Sequence, residues 1–468
     1  MAARTQLPVI QAVGAAQAAP TVVSRGEDQP DWGAARCLIA ATAIAGLVGV
    51  PLGLHLAWWA LQGKLGDVAW LAWVQAHGQL QLFGWLGLAI LGVTFHAMAH
   101  LFGTAEASAR TAWSVLLLQL AGLALRFLAP LVARGEAALQ PWSTGAWLLV
   151  LSALALLGAF AITLEAHLRT MPRRGERRSP AVLPRYLLVG LVLWLVALLV
   201  NVDGAIDALR FGPPATGAID PARDVVVITA AGYGMALVAL GMSLRVVVGW
   251  MDLPIPDLAR AARAWVLLVL GAVLRVASAA LGEPVALEVA ALSAWALGVL
   301  YYLPALRGLW APGAVTAGGG RRGESDPPLA WFVRTAYAGL VASALLGLLE
   351  VWALLLGDIG PLSPHMLADA GRHALLFGFL GVLTAGLTGR LPTAFLDLGD
   401  RGVRATRAAY AWTWRFIVPA AVLRSAGPLA GDARSAVIAV SGVLGSVALW
   451  CLLWALLQLV RLRRRGAA

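Results

Sequence analysis

The chain has 468 residues, of which 60% are hydrophobic and 13% are charged, whereas about 25% are charged in a typical soluble domain. Its mean hydropathy is +0.79, and its apolar residues form long continuous runs. These properties exclude an ordinary soluble enzyme, a disordered chain and a fibre. The net charge of +11 comes from basic residues in short loops between the apolar runs, so it indicates membrane topology and argues against nucleic-acid binding.

Twelve apolar runs are long enough for a membrane-spanning helix, which needs about 20 residues. None of them alternates as the strands of a membrane barrel do, so the sequence predicts an all-α polytopic membrane protein. The predicted spans, numbered 1 to 12, lie near residues 36–61, 77–101, 111–133, 144–168, 184–210, 224–249, 260–282, 285–307, 329–356, 366–391, 405–428 and 433–460.

Basic residues concentrate in the loop 169–183, in the Gly-rich linker 308–328 and in the tail 461–468. An even number of spans separates these segments, so they share one side of the membrane. The positive-inside rule places that side in the cytoplasm together with both termini, and residues 1–34 are expected to form a flexible cytoplasmic tail. The arginine-rich, lysine-poor composition is typical of bacteria with GC-rich genomes, so we expect a bacterial inner membrane.

The two internal basic segments divide the spans into three units of four, 35–168, 184–307 and 329–460. Spans 2, 6 and 10 carry similar motifs, each with an aromatic-Gly pair and a Gly four residues before a basic residue. The three motifs are FGWLGLAILGVTFH, YGMALVALGMSLR and FGFLGVLTAGLTGR, which begin at Phe83, Tyr233 and Phe377.

A second repeat signal comes from Arg126, Arg275 and Arg424, which occur at equal spacing in spans 3, 7 and 11 and are called the repeat arginines below. An arginine inside a span costs about 2.5–3.5 kcal/mol by insertion scales, so chance is a weak explanation for three of them. The sequence therefore predicts three pseudo-repeated four-helix units.

The histidines fall into two groups by depth. The outer group is His55, His77, His365 and His373, whereas His96, His100 and His167 lie at the inner ends of their spans. His77 and His373 lie on corresponding spans of the first and third units, and neutral imidazole is a good ligand for haem iron or copper. The alternative is that these histidines are interfacial and wetted by lipid headgroups.

His96 and His100 stand four residues apart, a spacing that places them on one helical face and is compatible with metal binding. No HExxH pattern accompanies them, and they could equally be interfacial histidines at a cytoplasmic helix end. His55 and His365 are candidate metal ligands only as members of the outer group.

Each repeat arginine lies in the outer part of its span and needs a partner there. One alternative is structural pairing with Glu350, Asp203 or Asp207. The other is an anionic ligand group, such as a haem propionate, which a guanidinium can grip with two hydrogen bonds. Because neither cysteine lies in a CxxCH motif, any haem would be a non-covalent b-type haem.

Three segments carry a family resemblance: HGQLQLFGWLGLAILGVTFHAMAHLFG at 77–103, GYGMALVALGMSLRVVVGW at 232–250 and HALLFGFLGVLTAGLTGRLPTAFLD at 373–397. They are similar to the NnrS family of bacterial membrane proteins. The resemblance implies haem and copper as cofactors, nitric oxide or another diatomic molecule as a ligand, and a role in nitric oxide metabolism or resistance to nitrosative stress. Relatives often read HGH where this chain has Gln79 at the third position, so one metal ligand of the family is in question.

The predicted architecture also resembles the main subunit of haem-copper oxidases, which has twelve helices in three arcs of four. That subunit uses six histidine ligands on helices that correspond to spans 2, 6, 7 and 10, and here spans 6 and 7 contain no histidine. A terminal oxidase or nitric oxide reductase of that type is therefore excluded. The leading hypothesis is an NnrS-like haem protein, and the alternatives are a transporter or channel and a cofactor-free assembly or sensory protein.

Overall fold

The computed structural model describes residues 32–63, 68–102, 107–133, 139–170, 182–215, 217–251, 253–310, 327–357 and 362–466. Within these ranges the chain folds into long helices joined by short connections. The helices are α1 (Trp32–Leu61), α2 (Ala69–Ala97), α3 (Ala109–Val132), α4 (Thr144–Thr170), α5 (Val182–Phe211), α6 (Pro221–Ser243), α7 (Leu258–Ala280), α8 (Val285–Tyr302), α9 (Pro327–Leu356), α10 (Pro364–Phe395), α11 (Gly399–Ala426) and α12 (Arg434–Gly466).

The predicted all-α membrane class is confirmed, because eleven of these helices are long and apolar enough to cross a bilayer. The exception is α11, whose first half carries the exposed arginines Arg401, Arg404 and Arg407. Most of the predicted tail 1–34, loop 169–183 and linker 308–328 lies outside the described residues. The predicted basic tail 461–468 continues α12 as a helix to Gly466.

Three helices form the centre of the molecule. In α2, α6 and α10, 78%, 72% and 78% of the apolar window is buried, against 33–50% in the other membrane-spanning helices. Each of the three contacts the other two. Since they occupy the second position of each predicted unit, the structure places the equivalent members of the repeat around one axis.

The outer helices close a ring around this centre. Within the units, α3 packs on α4, α7 on α8 and α11 on α12, and each of these pairs is among the most extensive in the molecule. The contacts of α4 with α5, of α8 with α9 and of α12 with α1 join one unit to the next. The three units therefore follow one another in a closed circle.

Several helices begin at a side chain that caps the free backbone N–H groups of the first turn. Ser108 accepts a hydrogen bond from Thr111 before α3, and Ser363 accepts one from Met366 before α10. Asp257 accepts from the Arg260 N–H before α7, and this bond holds the pKa of the Asp257 carboxyl below its usual value. The caps fix where each membrane-spanning helix starts.

Two of the central helices contain a π-helical segment at the same place in the repeat. In α2 the segment is Leu80–Gly87, and in α10 it is Ala374–Gly381. Each covers the aromatic-Gly pair of its motif, and the second begins directly after His373. Because π-helical turns change the direction in which neighbouring side chains leave a helix and are frequent at functional sites, these segments draw attention to the histidines beside them.

Candidate functional site

His77 of α2 is held by α1. Its Nδ1 lies 2.8 Å from the Gly49 carbonyl oxygen, so Nδ1 carries the proton and donates, while the neutral ring presents Nε2 as its free lone pair. The ring packs against Gly53, where an added Cβ would stand 2.5 Å from the ring Cε1. A backbone carbonyl and a missing side chain on α1 therefore fix both the tautomer and the position of His77.

His373 of α10 is fixed in the same way from within its own helix. Its Nδ1 lies 2.8 Å from the Asp369 carbonyl oxygen and 3.2 Å from the Asp369 Oδ1. Asp369 Oδ2 lies 3.7 Å from both Arg424 of α11 and Arg434 of α12. Two guanidinium groups thus flank the single carboxylate that orients His373.

Helices α2 and α10, which carry His77 and His373, pack against each other. Further along the same two helices, the rings of Trp85 and Phe377 meet edge to face with centroids 6.1 Å apart. The pairing of His77 with His373 stays a prediction.

The other two histidines of the predicted outer group have exposed side chains. His55 lies beside Trp59, with ring centroids 4.9 Å apart, and His365 occupies the first turn of α10. Neither takes part in the contacts that join His77 to the rest of the site.

Arg126 does not pair with Glu350, Asp203 or Asp207, the acids considered from the sequence. Its guanidinium donates to the Gly217 carbonyl and to Gln75 Oε1, both at 2.9 Å. Gln75 in turn donates through Nε2 to the Ile219 carbonyl and accepts from the Ile219 N–H, again at 2.9 Å. The side chain of Arg126 is 1% exposed, and it ties the connection between α5 and α6 to α2 and α3.

Arg275 has the acidic partner that the structural alternative named. Its guanidinium pairs with Glu350 at 3.4 Å and also with Glu288, both of them buried. Asp203 and Asp207, the other acids considered for the repeat arginines, instead pair with Arg223.

Sequence reasoning missed Glu288, Asp369 and Gln75 as partners of the repeat arginines. Asp369 had a visible signal, since it stands four residues before His373 on one helical face. Glu288 lies in the first turn of α8, where an acid is ordinary, and Gln75 gave no signal because an amide is not an obvious partner for a buried cation.

Gln79 leaves α2 toward a different neighbour. Its Nε2 donates to Asn201 Oδ1 of α5 at 2.9 Å, and both side chains are buried. His77 contacts α1 and Gln79 contacts α5, so the two side chains point to different neighbours of α2. Gln79 therefore does not share the environment of His77.

The inner histidines lie apart from this site. The His96 ring has its centroid 4.4 Å from that of Phe395, and the buried His167 has Nε2 3.1 Å from Thr94 Oγ1. The side chain of His100 lies outside the described residues, so the predicted pair His96 and His100 is not described. Across the described ranges there is no group of three or more His, Cys, Asp or Glu arranged to hold a metal ion.

The two imidazoles could ligate a metal ion or the iron of a haem. The Nδ1 of each ring is hydrogen-bonded to a backbone carbonyl. This arrangement orients a metal-ligating imidazole and raises the basicity of Nε2. Beside His77, the buried amide of Gln81 and the indole N–H of Trp85 have no hydrogen-bond partner in the described part of the chain. Buried polar groups rarely lack a hydrogen-bond partner, and a polar ligand would supply one to each of these groups.

Comparison with known proteins bears on the fold. The chain is similar to a solved haem-copper terminal oxidase dimer, with a TM-score of 0.62, 12% identity, and 93% of this chain and 84% of that chain covered. No protein-family model matches the chain, and no curated protein does. The chain is therefore an all-α polytopic membrane protein with the helical architecture of a haem-copper oxidase.

Proposed function

We propose that this chain is an integral membrane haem protein in which His77 and His373 would hold the iron of a b-type haem. The observation that carries the proposal is the matched state of the two rings. They come from two central helices, each Nδ1 is bonded to a carbonyl oxygen, and each Nε2 remains as a lone pair.

The charges around Asp369 support the same ligand. Arg424 and Arg434 both approach this carboxylate, so a net positive charge remains in the outer part of the site. Haem propionates are anionic and are well matched by guanidinium groups. Arg126 donates to a carbonyl and an amide oxygen and Arg275 pairs with two glutamates, so we assign both of them structural roles instead of the propionate contacts considered from the sequence.

When bound, a haem held by two histidines would supply one-electron redox chemistry. The Gly49 and Asp369 carbonyls hold the two imidazoles, and Arg424 and Arg434 would face the propionates. The resemblance of segments 77–103 and 373–397 to NnrS proteins supports a role in nitric oxide metabolism or resistance to nitrosative stress. Copper, which the same resemblance implies, has no ligand set to which we assign it.

The first experiment measures haem. Replacing His77 or His373 with Ala should lower the haem-to-protein ratio of the chain purified in detergent from haem-replete cells, because an axial ligand is lost. His55→Ala is the matched control, since its ring is exposed and outside the site. Full haem content and unchanged oxidised and reduced spectra in both site variants would contradict the ligand assignment.

The second experiment concerns nitric oxide. Cells that express the chain should survive a nitric oxide donor better than cells that express His77→Ala or His373→Ala at the same level in the membrane. Equal protection by all three would show that protection does not require the proposed haem. No protection by the wild type would contradict the nitric oxide role and leave the haem measurement to judge the site.

A further inference from the structure

A cavity of about 50 Å³ lies between the C-terminal halves of α2, α6 and α10. It is separate from the histidine site, because neither His77 nor His373 lines it. Aliphatic side chains from all three helices form its wall.

The wall follows the pseudo-repeat. Counting from the aromatic residue that begins each motif, the sixth following residue and the tenth following residue line the cavity in all three helices: Ala89, Ala239 and Leu383, and Val93, Ser243 and Leu387. Equivalent positions of three helices surround one space, so the cavity lies on the pseudo-threefold axis. The cavity therefore results from the packing of the three equivalent helices and does not depend on one side chain.

Two of the four hydroxyl groups of the wall are bonded to backbone carbonyls. The Thr94 hydroxyl donates to the Leu91 carbonyl at 3.0 Å, and the Ser243 hydroxyl donates to the Ala239 carbonyl at 2.7 Å. A water molecule needs two to four polar partners to stay in a cavity, and apolar cavities remain dry and take up xenon or small apolar molecules.

We infer that this cavity binds a small apolar molecule of the diatomic-gas class. Its volume is far below the roughly 300–1,000 Å³ of pockets for drug-sized ligands, so only molecules of a few atoms fit. Its apolar wall selects against ions and water. The inference does not depend on the haem proposal, since no haem ligand takes part in it.

Xenon is the probe, because it is apolar, of similar size and visible by anomalous scattering. Crystals of the full chain are pressurised with xenon, for the wild type, Ala239→Leu, Ala89→Leu and Leu383→Ala. Ala124→Leu is the matched control, since it adds the same atoms on the exposed face of α3.

A xenon atom is expected between α2, α6 and α10 in the wild type and in the Ala124→Leu control. Its occupancy should fall to background in Ala239→Leu and Ala89→Leu, which fill the space from two different helices. Leu383→Ala enlarges the cavity and should retain or raise the occupancy, so the inference stays testable if a filling variant does not fold. An absence of xenon from both the wild type and Leu383→Ala, or a hydrogen-bonded water in its place, would overturn it.

Discussion

The repeat arginines occupy equivalent positions yet contact chemically different partners. Arg126 donates to a backbone carbonyl and an amide oxygen, Arg275 pairs with two glutamates, and Arg424 shares one aspartate with a second arginine. A buried guanidinium must be compensated, because an unpaired charge in an apolar medium is strongly unfavourable. Each unit meets this requirement with the groups that its own neighbours supply.

Gln75 is expected to be essential to the compensation of Arg126. Gln75→Leu removes one of the two hydrogen bonds of the guanidinium and leaves the Ile219 backbone groups without their Gln75 partner, and should lower the free energy of unfolding by about 1–3 kcal/mol. Thermal or denaturant unfolding in detergent measures the effect. Arg223→Met is the comparison, because the Arg223 side chain is 35% exposed and exposed ion pairs contribute about 0–1 kcal/mol.

A double-mutant cycle separates this pair from general damage to the core. Arg126→Met combined with Gln75→Leu should be less destabilising than the sum of the single changes, with a coupling of about 0.5–3 kcal/mol. Additive effects would show that Arg126 and Gln75 act independently and would contradict the network described here.

At the scale of the helix, α1 matters to the site although it contributes no proposed ligand. Gly49 offers the carbonyl that holds His77, and Gly53 offers the space that its ring occupies. Both positions lie in or beside the π-helical segment Ala45–Gly49. The sequence of α1 gives no sign of this function, because a carbonyl is common to every residue and a glycine is common in membrane helices.

Gly53→Ala should therefore disturb the site without removing a ligand. The added methyl group would stand 2.5 Å from the His77 Cε1, so the ring must turn and its bond to Gly49 weakens. Loss of a group that orients a metal ligand typically costs about 10–100-fold in affinity, and we expect a loss of that order in haem affinity, measured by haem titration of the apoprotein.

Gly249→Ala is the control for this change, because nothing lies within 4 Å of the added Cβ at that position. If Gly53→Ala and Gly249→Ala bind haem equally well, with the same spectra, the position of the His77 ring does not matter for binding. That result would weaken the assignment of His77 as an axial ligand.

For the molecule as a whole, the ring of helices explains how ionisable side chains can lie within membrane-spanning segments. Helices α2, α6 and α10 are shielded by the others, so the ionisable groups of the outer site pack against protein and avoid lipid. The exposed arginines of α11 lie in its first half, where long side chains can reach a membrane surface.

The topology prediction tests the orientation of this ring. Reporter tags at the C-terminus and within 171–181 and 311–326 should all report the cytoplasm, because these segments carry the excess of arginine. Tags within 134–138 and 358–361 should report the opposite side. A single tag on the unexpected side would reverse or break the assignment of the histidines to outer and inner groups.

Much of the architecture was predictable from the sequence. The lengths of the apolar runs gave the number and approximate bounds of the helices, because a bilayer demands about 20 apolar residues for each crossing. The equal spacing of the repeat arginines gave the three units. Placing a charged or ionisable side chain in an apolar medium costs free energy. This cost identified His77, His373 and the repeat arginines as residues that require an explanation.

Tertiary structure alone decided which groups these residues meet. Whether Arg126 contacts an acid, a propionate or Gln75 depends on how α2 and α3 pack against the connection between α5 and α6, and periodicity carries no such information. The same holds for the carbonyl that orients His77 and for the cavity on the pseudo-threefold axis. Local sequence sets the hydrophobicity and length of each helix, whereas partners come from contacts between residues that are distant in the chain.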